Sequence, residues 1–282
     1  MSNSDHESTD LFVDAPHEEP SVPPAGIIGH IENGVAGSAL FLCAAMATYE
    51  ILSRLFFRQS IRSAADYMQH FVLITGLIGA LITTRENRHL AFAALRSALP
   101  DSWHRRTEYL CTAVTLCVLT ALSIDAFFFA RFAFDPLLKV GFIPLTWLAW
   151  ILPLTFVLMG VRTIINTAKT WRGAAACAGG IVLFFAVRLL MNAAPEASLW
   201  PLATALAVSL LLGTPIFIVL GGMAQLFLFV QSGALGIVSN EVYTMLTGPL
   251  IPTLPLFTFA GFILSESKAP GRLFDVFTSF CG

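Results

Sequence analysis

The sequence predicts an all-α, polytopic integral membrane protein with about seven to eight transmembrane helices. Hydrophobic residues make up 56% of the 282 positions and charged residues only 12%, and the mean hydropathy is +0.75, far from the composition of a soluble domain. Apolar runs long enough to cross a bilayer alternate with short basic loops. No segment shows the two-residue alternation of a barrel strand, so helices are the structure expected to span the membrane.

The first 33 residues have a different character from the rest of the chain. They contain acidic residues and prolines but no Lys or Arg, and they lack the basic and then apolar order of a signal peptide. We therefore predict a disordered, acidic cytoplasmic tail over residues 1–33.

Five spans follow from the apolar runs. They are predicted over Gly34–Phe57, Tyr67–Thr84, Glu108–Ala130, Val140–Ile165 and Ala174–Met191.

The next apolar stretch, Leu199–Gln231, is too long for one upright span. Gly213, Thr214 and Pro215 fall in its middle, so a tilted, kinked helix and a tight helical hairpin are both possible. If the tail is cytoplasmic, the hairpin places Lys268 and Arg272 inside, and the cytoplasmic loops then carry more Lys and Arg than the outer loops. A single span would give both sides the same number of Lys and Arg residues. Because Lys and Arg collect on the cytoplasmic side, the charges support the hairpin. The hairpin is favoured.

Polar residues at membrane depth are the candidates for function, because an ionisable group there is costly unless it is paired or hydrated. Glu50 and Arg54 are four residues apart; we interpret them as a self-satisfied pair at a helix end, with docking of an outside partner as the alternative. For Asp125, a cap or a salt bridge, with Arg131 nearby, is favoured over proton relay. Arg188 is expected to snorkel to the interface.

The sequence argues against several classes of function. His70 has no facing histidine for haem, and the cysteines at positions 43, 111, 117, 177 and 281 lie singly, without zinc-ligand spacing. A net charge of −2 does not predict a nucleic-acid partner. The sequence shows neither a nucleophile with a nearby base nor a pair of carboxylates, so an enzyme is not predicted. No cofactor is expected.

The basic loop between the second and third spans carries the first family resemblance. Its amphipathic segment, with Leu90, Phe92, Ala94, Leu95 and Leu99, should lie on the inner membrane surface. An Arg after the second span, His followed by an aliphatic residue, and a later Leu-Pro resemble the small, Q-type subunit of tripartite ATP-independent periplasmic (TRAP) transporters. The matching positions are Arg85, His89, Leu90, Leu99 and Pro100.

Two further stretches, "EILSRLFF" and "GFIPLTWLAWILPLTFVLMGVRTI", resemble the first and fourth helices of that subunit. One departure is that only Asp66 stands where the family usually has paired acids before its second helix.

The carboxy-terminal stretch resembles the start of the large, M-type subunit of the same transporters. The similarity lies in "GTPIFIVLGGMAQLFLFV" and "PLIPTLPLFTFAGFILSESKAPGRLFDVF", and its motif positions are Gly213, Pro215, Pro255, Phe257, Ala260 and Gly261. The prolines at 249, 252 and 255 each remove a backbone donor, and broken helices of this kind are common in secondary transporters. Scaffold or packing duty is favoured for this segment over direct substrate contact.

Together these patterns predict four regions: the tail (1–33), a Q-like four-helix domain (34–172), a linking transmembrane helix (173–198) and the truncated start of an M-like transport subunit (199–282). We expect substrate and ion ligands downstream of Gly282. Whether the chain truly ends there stays open.

The resemblance implies the permease of a sodium-coupled symporter in a bacterial inner membrane. Sodium would be the coupling ion, and a small organic acid such as a carboxylate would be delivered by a periplasmic solute-binding protein. Membrane lipids are the other expected partners. Four basic residues of the outer loops are predicted to help dock the binding protein: Arg58, Arg62, Arg131 and Lys139. The alternative is a non-transporting membrane scaffold or adaptor.

Overall fold

The computed structural model of the chain describes residues 26–60, 63–86, 100–135 and 137–281. Its helices are α1 (Ile27–Phe57), α2 (Ala64–Arg85), α3 (Asp101–Phe132), α4 (Leu145–Ala149), α5 (Ile151–Thr167), α6 (Trp171–Ala193), α7 (Pro195–Leu211), α8 (Ile216–Ser232), α9 (Ile237–Leu246), α10 (Thr253–Glu266) and α11 (Ala269–Cys281). A short antiparallel hairpin of β1 (Lys139–Val140) and β2 (Ile143–Pro144) precedes α4.

The predicted all-α membrane architecture is confirmed. Among the described residues, five helical segments are long and apolar enough to cross a membrane, or six if α8 and α9 form one broken span. The helices α7 and α10 are apolar but shorter. The predicted count of seven to eight spans is therefore not confirmed.

The first predicted boundary is wrong by several residues. Helix α1 begins at Ile27, so residues 27–33 of the predicted disordered tail are helical, while residues 1–25 lie outside the described part. The helix begins before Glu32 because this side chain is buried and forms hydrogen bonds with two arginines of other helices.

The fourth predicted span also begins later than expected. Lys139–Val140 belongs to the β-hairpin, and the helix starts at Leu145 after Pro144. It breaks at Trp150 between α4 and α5. Pro153 explains the break, because it has no N–H to donate to the carbonyl of Ala149, four residues earlier.

The stretch from 199 to 231 forms the favoured hairpin. Helices α7 and α8 pack side by side, and the ring of Trp200 near the start of α7 lies 6.4 Å from that of Phe227 near the end of α8. Gly213 in the turn has φ +109°, a conformation that glycine adopts without steric cost. Each helix has 17 residues, about 25 Å at 1.5 Å per residue.

Helix α3 lies at the centre of the bundle and packs against α5, α6, α8 and α9. One buried cluster joins Leu73 and Leu77 of α2 to Phe129 of α3, Leu152 of α5 and Tyr243 of α9. A second joins Leu81, Leu119, Met159, Ile218 and Val238. The hydrophobic core therefore combines helices from the Q-like and the M-like stretches.

Candidate functional site

A buried ion cluster joins the start of α1 to the ends of α2 and α5. Glu32 is 8% exposed, and one of its carboxylate oxygens accepts a hydrogen bond from Arg85 at 3.2 Å. The other oxygen accepts one from Arg162, whose second nitrogen donates to the carbonyl of Leu81 at 2.8 Å. One carboxylate thus accepts hydrogen bonds from two guanidinium groups on two other helices.

The same arginine on α2 has further acceptors. Arg85 also donates to the side-chain oxygen of Asn33 at 3.2 Å and to the carboxylate of Glu86 at 3.1 Å. The cluster therefore holds two arginines and two glutamates, and its charges balance. Arg85 is a predicted family-motif position, whereas Glu32 escaped the sequence analysis because it was assigned to the tail. The placement of the tail, Arg85 and Arg162 on one membrane side was the signal that could have identified it.

Asp125 on α3 caps the amino terminus of α9. Its two carboxylate oxygens accept hydrogen bonds from the backbone N–H groups of Gly236 and Ser239, both at 2.8 Å. The side chain is buried, and a carboxylate at a helix amino terminus is favoured by the free N–H groups and the helix dipole. The structure thus shows the favoured capping role, with α9 as the capped helix.

His70 links α2 to α9 through a buried hydrogen bond. Its Nε2 lies 2.7 Å from the hydroxyl of Tyr243, and its Nδ1 lies 2.7 Å from the carbonyl oxygen of Asp66. A carbonyl only accepts, so Nδ1 carries the proton and, in the neutral ring, Tyr243 donates to Nε2. His70 is therefore part of the contact between the Q-like helices and α9.

The predicted Glu50–Arg54 pair forms at the other end of α1. Arg54 donates to Glu50 at 2.8 Å, and the hydroxyl of Ser60 donates to the same carboxylate oxygen at 2.6 Å. Glu50 is buried, whereas the Arg54 side chain is 66% exposed. These two residues border a cavity of about 260 Å³ that Pro249 and Pro252 also line.

The remaining family-motif positions serve the backbone or face outward. Pro100 precedes α3 as its cap residue, and Pro215 does the same for α8. Gly213 lies in the hairpin turn. Pro255 stands in the first turn of α10, where its missing N–H costs no helical hydrogen bond. Gly261 is exposed, and His89 lies outside the described residues.

Three of the four predicted docking residues lie at one end of the bundle. Arg58 follows the end of α1, Arg131 is in the last turn of α3, and Lys139 begins the β-hairpin. The hydroxyl of Tyr67, at the start of α2, accepts a hydrogen bond from the N–H of Phe142 at 3.3 Å, which places the hairpin at this end. Arg62 is outside the described part of the chain.

The clusters of Glu32, Asp125 and His70 join different helices. Within the described residues, no group of three or more His, Cys, Asp or Glu side chains could hold a metal ion. The buried side chains of Glu32, His70 and Asp125 make contacts between helices, since each meets a donor or an acceptor from another helix. What the arrangement achieves is a fixed relative placement of the helices.

Comparison with known proteins gives a match for the middle of the chain. Residues 43–173 match the model of the family described as "Tripartite ATP-independent periplasmic transporters, DctQ component". That segment runs from the middle of α1 to the start of α6. No curated protein matches the chain.

Proposed function

We propose that this chain, whose residues 43–173 belong to the DctQ component family of TRAP transporters, serves sodium-coupled uptake of a small organic acid. The family membership makes it a multi-pass membrane component of a transporter. The finer points are proposals: sodium as the coupling ion, a carboxylate-bearing solute, delivery by a periplasmic solute-binding protein, and a bacterial inner membrane as the location.

The observation that carries the proposal is the family match, and the helix packing supports a scaffold role for the matched segment. Helices α1, α2, α3 and α5 form a block tied by the Glu32 cluster and by the buried clusters around α3. The α7–α8 hairpin and α9 pack on this block. We infer that the Q-like helices are the scaffold on which the M-like stretch is seated, and that solute movement is the task of the latter.

The end of the bundle with Arg58, Arg131 and Lys139 is the proposed docking face for the binding protein. Charged rims of this kind accelerate encounter and select the partner through long-range attraction. The short β-hairpin presents Lys139 away from the helices, since its side chain is exposed.

Sodium-driven uptake is tested in proteoliposomes that contain the transporter with this chain. The liposomes receive a binding protein loaded with a radiolabelled carboxylate, with an inward sodium gradient or an equal potassium gradient. We expect uptake only with the sodium gradient and the binding protein together. Equal uptake in potassium, or without the binding protein, would contradict the proposal, and binding of partners without any uptake would favour the adaptor role.

Docking is tested separately by charge reversal. The triple variant Arg58→Glu, Arg131→Glu, Lys139→Glu should weaken binding of the solute-binding protein at least tenfold in surface-plasmon measurements. Arg106→Glu is the control, because Arg106 is exposed in the first part of α3, at the opposite end of the bundle. Unchanged affinity in the triple variant would remove this face from the interface.

A further inference from the structure

A second cavity lies between α3, α6 and the α7–α8 hairpin. It has a volume of about 230 Å³, and its walls are mostly apolar, with Val118, Leu183, Leu202 and Leu226 among the lining residues. Along α3 the lining extends from Val114 to Asp125, a distance of about 16 Å at 1.5 Å per residue. The cavity is therefore long enough to accommodate an extended hydrocarbon chain.

The charged side chains of this cavity are at one of its ends. Asp125 and Arg188 line it near the point where α9 begins. The Asp125 carboxylate is already engaged, since each of its oxygens accepts a backbone N–H from the first turn of α9. Its charge is thus directed to the helix end.

Arg188 is different, because its contact among the described residues is with an aromatic ring. The guanidinium carbon lies 4.4 Å from the centroid of the Phe229 ring, and both side chains line the cavity. No carboxylate or carbonyl of the described residues accepts a hydrogen bond from Arg188. A ring face offsets a positive charge only in part, and an unpaired charge within a membrane is costly. The sequence predicts that Arg188 snorkels to the interface, and the structure places this side chain on the cavity wall.

We propose that this cavity binds a membrane phospholipid, with the phosphate on Arg188 and one acyl chain along the apolar wall. The phosphate supplies the anion that the guanidinium lacks, and arginine is well suited to phosphate oxygens. The hydrocarbon chain fills the length from Asp125 toward Val114. A small carboxylate solute would satisfy the same charge but would leave the apolar length empty. The bound lipid would stabilise the packing of the α7–α8 hairpin against α3 and α6, whichever solute the transporter carries.

The test is native mass spectrometry of the purified chain in dodecyl maltoside, after addition of phosphatidylglycerol of defined acyl composition. We expect one retained lipid per chain. Arg188→Gln should reduce the retained fraction about fivefold, the factor that corresponds to the roughly 1 kcal/mol that one arginine contributes toward anionic lipid. Arg172→Gln is the matched control, because Arg172 also lies over an aromatic ring on α6, that of Trp171, but does not line the cavity.

A second pair of variants tests the acyl-chain part without changing a charge. Ala205 lines the cavity, whereas Ala207 on the same helix does not. Ala205→Phe should displace the lipid, and Ala207→Phe should retain it, with the same gel-filtration profile for both. Equal retention within each pair would overturn the proposal, as would adducts of detergent mass only. An adduct with the mass of a free fatty acid would overturn the phospholipid assignment.

Discussion

Helices α9 and α10 follow one another in the chain, yet the fold treats them in opposite ways. In the 10-residue α9, Val238, Ser239 and Tyr243 are buried. The 14-residue α10 is more apolar and carries the proline motif, but none of its residues is buried. Phe257 of α10 is 78% exposed.

The difference lies in the partners that other helices provide. The amino terminus of α9 donates hydrogen bonds to Asp125 of α3, and Tyr243 of α9 forms a hydrogen bond with His70 of α2. Helix α10 touches α1 and α11 only marginally. In a membrane, apolar surface gains little by leaving lipid for protein, so hydrogen bonds and close packing decide which helices associate. A conspicuous motif therefore does not by itself identify the helix that is held in the bundle.

The largest effect is expected where one carboxylate serves two arginines. Glu32→Ala leaves Arg85 and Arg162 without their shared partner and should lower the free energy of unfolding by about 3–5 kcal/mol. Denaturant unfolding in detergent, followed by far-UV circular dichroism, measures it. Glu196→Ala is the control, since Glu196 is exposed at the start of α7. An equal loss of unfolding free energy in both variants would show that Glu32 stabilises the fold no more than an exposed glutamate does.

The next largest loss of unfolding free energy is expected when the cap of α9 is removed. Asp125→Ala leaves two buried N–H groups unsatisfied and should cost about 2–3 kcal/mol, with faster hydrogen exchange confined to residues 236–246. Asp135→Ala serves as the control, because Asp135 also accepts a backbone N–H, from Leu137, but is exposed. Unchanged exchange in α9 after Asp125→Ala would refute the capping role.

The His70–Tyr243 contact should contribute less. Tyr243→Phe removes one neutral hydrogen bond and keeps the ring packing with Phe129 and Phe134, so we expect a loss of about 1 kcal/mol in unfolding free energy. The same substitution at the exposed Tyr49 should change nothing measurable. A double-mutant cycle with His70→Ala isolates the pair, and a coupling energy of zero would contradict the bond.

The smallest effect is expected in α10, although this helix carries the motif. Phe257→Ala should change the unfolding free energy by less than about 0.5 kcal/mol, measured by the same denaturant titration. Ile218→Ala in α8, where the side chain is fully buried, should cost about 2–5 kcal/mol. A large loss from Phe257→Ala would mean that α10 is packed against protein, which would end the contrast with α9.

Much of the architecture could be predicted because it depends on local composition. Hydropathy located the five long helical segments, and the turn residues Gly213 and Pro215 together with the loop charges favoured the α7–α8 hairpin. The favoured cap role of Asp125 was also correct in kind. The partner of that cap was not predictable, because Gly236 and Ser239 are more than 100 residues away in the chain.

The sequence by itself determined that this is a helical membrane protein, where its long apolar helices lie, and which family its Q-like region resembles. These properties follow from hydrophobic length and from short motifs, which are local. Only the tertiary structure decided that Glu32 belongs to a helix and joins Arg85 to Arg162. It alone paired His70 with Tyr243 and placed Arg188 on a cavity wall. These contacts depend on which helix faces lie opposite each other, and packing in three dimensions sets that arrangement.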